Sequence, residues 1–134
     1  MEQQEIDAVV GIDQSDISGE MSKLPGLLAY YSTLCAEAEA EETMAEHRLK
    51  EEYARLYNQK RLAGKLQADK KKSEAQVDCE IESDSNYLGF KRELVSASKK
   101  ARIMKGVVDA LRAKREMLTS MALLKREELR VLGC

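Results

Sequence analysis

Two long heptad seams constrain this chain more than any other feature. Leu24, Leu28, Tyr31, Cys35, Ala38, Glu42, Ala45, Leu49, Glu52, Leu56, Gln59, Ala63 and Leu66 follow one another at alternating steps of four and three. A second series runs Tyr87, Phe90, Leu94, Ala97, Ala101, Met104, Val108, Leu111, Arg115, Leu118, Ala122, Lys125 and Leu129. Such steps keep one stripe of a helix facing a partner helix. They predict a helix over 23–68 and another over 85–131. At 1.5 Å per residue the first would be roughly 65 Å long. Ala is frequent in both seams, and Glu42, Glu52 and Gln59 interrupt the first, so each seam is thin. Leu28, Tyr31, Leu49, Leu56, Leu94, Met104, Leu111 and Leu118 are its large or central members and the expected core or oligomer contacts. A thin seam on a long helix is hard to cover within one short chain, so an oligomer is expected.

The remaining segments break this period. "ADKKKSEAQVDCEIESDSN" reads as a linker with a short helix over 73–82, started at Ser73, with Asp84 or Ser85 capping the helix that follows. At the other end, Ser22 could cap the first long helix, with Pro25 in its opening turn. Gly106 falls inside the second, where the missing side chain could let another helix approach. Residues 1–22, with Gly11, Gly19 and several Ser and Asp, read as a flexible acidic tail. Its Ile6 to Ile12 patch could dock on a partner, although a frayed end is the plainer reading. The fold class is therefore all-α: residues 1–22 as a tail, and residues 23–134 as a domain of two long helices joined by a short helical, acidic linker and packed like a coiled coil. Composition agrees, with one Pro, no Trp, 4% aromatic and 34% charged residues, which suits long helices rather than sheet.

The net charge of −2 conceals segregation. Residues 1–47 carry 11 acids against one base, and residues 48–72 carry nine bases against three acids. Residues 73–86 carry five acids and no base, and residues 87–134 carry 12 bases against five acids. Local fields of this kind steer partners more than the total does.

Catalytic and metal chemistry find little to use. His47 is the single histidine, and Cys35, Cys79 and Cys134 are scattered without a CxxC, so a zinc site is not expected. "RLAGKL" lacks the second glycine and the Lys-Ser/Thr pair of a phosphate loop. Carboxylates mostly stand three or four residues from Lys or Arg, the spacing of ordinary helix support. The chain therefore reads as a non-enzyme without cofactors. No run of about 18 apolar residues is present, so no membrane span is expected. "MEQQEIDAVVGIDQSD" lacks the basic start and apolar run of a secretory signal, and the expected location is the cytoplasm.

One stretch stands out, "HRLKEEYARLYNQKRLAGKLQADKKK". It combines Arg48, Lys50, Arg55, Lys60, Arg61, Lys65, Lys70, Lys71 and Lys72 with Tyr53 and Tyr57, which share a helix face. Cations for phosphates beside rings for bases are the means by which single-stranded nucleic acid is held. The alternative is a solvated face whose tyrosines pack on a neighbouring helix, and spacing alone favours it. The cations of the second long helix, Lys99, Lys100 and Arg102 with Arg112, Lys114 and Arg115, could extend such a track, or be solvated in their turn.

The segments "LPGLLAYYSTLCAEAEAEETMAEHRL" and "VDALRAKREMLTSMALLKREEL" resemble small phage proteins of the UvsY-like recombination mediator group, over about residues 23–130. The resemblance implies a protein that binds single-stranded DNA without sequence preference and forms a ring of six or seven subunits. It also implies that the protein helps load a RecA-like recombinase onto DNA coated by single-strand-binding protein, in the host-cell cytoplasm. The group's DNA motif is a Lys-x-Arg-Leu run followed by aromatics. "YARLYNQKR" is similar at Arg55, Leu56 and Tyr57, with Tyr53 in place of the lysine and Lys60 and Arg61 as compensating cations. The competing expectation is a structural or adaptor coiled coil, a virion, scaffold or prefoldin-like protein, binding only proteins.

Overall fold

The computed structural model describes residues 1–66 and 73–133, with the side chains of 64–66 outside that description. The chain is all-α. Four helices follow in order: α1 (Gln3–Val10), α2 (Ile17–Leu66), α3 (Glu74–Glu82) and α4 (Ser85–Leu132). The two long helices pack against each other, and no strand occurs among the described residues. Two compact units can be distinguished, one formed by Met1–Glu37 with the chain from Ala101 onward, the other by Ala38–Lys100.

In the first unit, Leu24, Tyr31 and Cys35 of α2 are buried, as are Ala101, Met104, Val107, Val108, Leu111 and Leu118 of α4. The expected seam positions Tyr31, Met104, Leu111 and Leu118 lie in this core, and Leu28 is half-buried. Leu111 and Leu118 are fully enclosed within the single chain, so they are contacts of the fold itself. Arg115, placed in the seam by the heptad count, is exposed, and Lys114 is buried instead. A straight α-helix gains about 20° per heptad on a 3.5-residue repeat. That drift accounts for a neighbouring position turning inward.

Residues 1–22 are not an unstructured tail. Glu2 and Glu5 close a capping box at the start of α1. The Asp16 carboxylate accepts from the Gly19 N–H at 3.1 Å and caps α2, so that helix begins at Ile17 rather than near 23. A Cβ on Gly19 would stand 2.2 Å from Asp16 Oδ2. Glycine here makes room for the cap, and does not mark a flexible chain. Ser22 is consequently inside the helix, its hydroxyl donating to the Gly19 carbonyl. Pro25 also lies in the interior rather than the first turn. Interior proline removes a backbone hydrogen bond at a cost of about 3 kcal/mol, and Pro25 is exposed, where water can reach the freed carbonyl.

Lys114 ties these N-terminal segments to α4. Its ammonium is 2.5 Å from Glu20 Oε2 and donates to the Val9 carbonyl at 3.2 Å. The side chain is 4% exposed and its acid 22%. Lys114 is therefore unavailable for the basic track that its neighbours in sequence suggested. Gly106 is exposed with nothing near its missing side chain, so within this chain it does not serve a close helix approach.

In the second unit Ala38, Ala45 and Leu56 of α2 are buried, while Leu49 and Leu94 are half-buried. The first seam stops at Leu56, because Gln59 and Ala63 are exposed. Here α3 takes over. Ser73 and Gln76 form its capping box, and it buries Val77 and Ile81 against Leu56, with Tyr53, Tyr57 and Tyr87 packed around them. The Asp84 carboxylate accepts from the Asn86 and Tyr87 N–H groups and starts α4. The linker is thus part of a core.

Candidate nucleic-acid interface

The basic stretch of α2 is sorted by what α3 offers it. Tyr53 is half-buried, and its hydroxyl donates to Asp78 Oδ1. A tyrosinate would face that carboxylate, so this hydrogen bond, aided by burial, pushes the Tyr53 pKa up to about 12. Tyr57, one turn on, is also half-buried and lies nearly parallel to Tyr53, with ring centroids 6.3 Å apart and planes at 17°. Tyr87 of α4 meets Tyr53 at 6.2 Å. The packed-tyrosine alternative therefore describes Tyr53. Its hydroxyl is engaged and rings lie on two sides of it.

The cations divide in the same way. Arg55 is exposed but forks onto Glu52, with Nη2 at 2.6 Å and Nε at 3.1 Å from its two carboxylate oxygens. That fork holds the Glu52 carboxyl below its usual range and raises the Arg55 guanidinium. Lys60 is half-buried, its ammonium 3.4 Å from Glu80 of α3. Arg48, Lys50 and Arg61 are exposed. The Arg61 guanidinium carbon lies 5.6 Å from the Tyr57 ring centroid, within cation–π range. Lys65, Lys70, Lys71 and Lys72 have side chains outside the described residues.

Helical phase adds a further division. At about 100° per residue, Lys50, Tyr57 and Arg61 fall within about 40° of one another. Arg48 and Arg55 lie on the far flank of the helix by the same count. The eleven candidate residues therefore do not make one surface. Three of them do: Lys50, Tyr57 and Arg61, on an edge of α2 whose sequence runs on into the cationic 65–72 stretch.

Sequence reasoning missed Asp78, Glu80 and Tyr87 as partners of this region. The signal was present in the charge blocks. An acidic 73–86 follows a basic 48–72 directly, and a short helix returning along α2 brings Asp78 and Glu80 to Tyr53 and Lys60. A second set of cations, Lys91, Arg92 and Lys99 on α4, is exposed and stands in no ion pair among the described residues. No cluster of three or more His, Cys, Asp or Glu able to hold a metal ion occurs among the described residues. No helix among them is long and apolar enough to cross a membrane. Comparison with protein-family models, with curated proteins and with solved structures found no match to this chain.

Proposed function

We propose that this chain is a non-enzymatic, oligomeric single-stranded-DNA-binding protein that assists a RecA-like recombinase on DNA coated by single-strand-binding protein. The observation that carries the DNA-binding part is the Tyr57–Arg61 pair with Lys50 on the same edge of α2. It offers a half-buried ring, a guanidinium over that ring and an exposed ammonium, with further cations next in sequence. Such a set can meet bases and phosphates of any sequence. The recombinase, the coating protein and the six- or seven-membered ring come from the family resemblance alone.

A protein-only adaptor is the second reading. It is favoured by the pairing of Arg55 with Glu52, of Lys60 with Glu80 and of Tyr53 with Asp78, which a solvated structural helix would also show. Fluorescence anisotropy with labelled oligo(dT) separates the two. Lys50→Ala with Arg61→Ala should weaken binding by at least tenfold, whereas Arg55→Ala with Lys60→Ala should change it less. Equal binding by the parent and both folded double variants, or none by the parent at low salt, would leave the adaptor reading in place.

A further inference from the structure

The first four turns of α4 carry a second surface that the DNA reading does not use. Leu88, Arg92, Val95 and Lys99 recur at steps of four, three and four, so they form one stripe. Lys91 and Ser96 flank it, and the six side chains line a shallow furrow. Val95 is 64% exposed and Leu88 37%. Lys91, Arg92 and Lys99 have no ion pair among the described residues, while Lys100, off the stripe, is held by Glu41 at 3.3 Å. The single acid between Leu88 and Lys99 is Glu93, which lies well round the helix from the stripe by the ~100° count.

Three occupants can be weighed on this chemistry. A single strand needs rings to stack its bases, and the stripe offers aliphatic side chains where a ring would be needed. A second copy laid stripe to stripe would set three cations against three cations, and like charges brought together are strongly disfavoured. This chain's own acidic helix α1 is engaged elsewhere, through the Val9 carbonyl on Lys114. What remains complementary is a segment with aliphatic side chains down one side and carboxylates along its margins. Anchors at i, i+4 and i+7 are the pattern by which one amphipathic helix reads another.

We infer that the Leu88–Arg92–Val95–Lys99 stripe of α4 docks an acidic, amphipathic helical segment of another protein. The aliphatic pair supplies the buried contact, and Lys91, Arg92 and Lys99 receive the carboxylates. This inference stands independently of the DNA reading, because it uses a different helix and a different partner.

The full chain tests it. The probe is a labelled synthetic peptide about four helical turns long, with Leu at helical spacing on one side and Glu beside it. A scrambled peptide of the same composition and oligo(dT) are titrated in parallel. Val95→Gln removes apolar contact without touching charge, at a site exposed enough to leave folding intact, which circular dichroism would verify. It should weaken the amphipathic peptide about tenfold, the equivalent of about 1.4 kcal/mol, and leave oligo(dT) unchanged. Lys91→Gln, Arg92→Gln and Lys99→Gln together should abolish peptide binding, and the scrambled peptide should bind at least tenfold more weakly than its parent. Any of four results overturns the inference: no saturable peptide binding, equal binding of the scrambled peptide, an unchanged affinity in Val95→Gln, or loss of oligo(dT) rather than peptide in the triple variant. The last would make the stripe a phosphate track.

Discussion

At the scale of single residues, polar groups in contact explain more than the apolar pattern does. Tyr53 is a case where pH reports a contact. Its folded pKa of about 12 lies above the ordinary phenol value near 10. Whatever its hydrogen bond contributes to stability is therefore present below pH ~10 and lost as pH rises toward ~12. Ultraviolet titration should show a tyrosine ionising near pH 12, about two units above an ordinary phenol, and Tyr53→Phe should abolish that late step. Lys114 gives a second prediction. Glu20→Ala leaves its ammonium buried with only the Val9 carbonyl, whereas Lys114→Met leaves a carboxylate that still reaches water. Removing one partner of a fully buried pair costs about 3–5 kcal/mol. With that carbonyl retained, Glu20→Ala should cost about 2 kcal/mol in urea unfolding, and Lys114→Met distinctly less. Equal losses would show that the lysine is not held as described. No apolar periodicity marks a lysine as interior. Its burial follows from α1 folding back, which the sequence signals only as a weak patch from Ile6 to Ile12.

Among the elements, the long helices were legible because their seams are long; α4 spans Ser85–Leu132 against an expected 85–131, whereas the start of α2 was not legible. The seam extends from Leu24 to Leu56 as counted. Beyond it, the turn residues of "DISGE" read as a break, although Asp16 uses them to start α2. The short helix α3 was legible from Ser73, yet its role was not, because two apolar residues, Val77 and Ile81, give no measurable period. Their weight comes from three tyrosines of the two long helices packing around them. Ile81 is fully enclosed, so Ile81→Ala should cost about 2–5 kcal/mol and loosen α3 from Tyr53. Hydrogen exchange in 74–82 should then rise ahead of exchange in α2. Unchanged protection there would mean that the Asp78 and Glu80 contacts hold α3 without its apolar residues. As for the candidate site, the residue types were legible in the sequence, but which of them are free was not. Arg55 and Lys60 look identical to Lys50 and Arg61 until the acids of their neighbours are placed.

For the molecule as a whole, the question is what covers the apolar surface left over. Met117, Leu124 and Val131 of α4 are each more than half exposed and recur at steps of seven, so they lie along one side of the helix, where the proposed assembly would cover them. Sedimentation should find an oligomer at micromolar concentration, and Leu124→Glu with Val131→Glu should reduce it to a folded, helical monomer. Leu111→Asp or Leu118→Asp, by contrast, should unfold the chain, because those side chains fill its own core and a buried carboxylate costs several kcal/mol. The central claim, that an assembled chain holds single-stranded DNA along the Lys50–Tyr57–Arg61 edge, is tested most directly by the salt dependence of oligo(dT) affinity. Each phosphate neutralised on a single strand contributes about 0.7 to the slope of log K against log salt. Lys50→Ala with Arg61→Ala should flatten that slope by about 1.4 per engaged subunit on the same principle, and Tyr57→Ala should lower affinity with little change in slope. A folded double variant with the parent's affinity and the parent's slope would contradict the account.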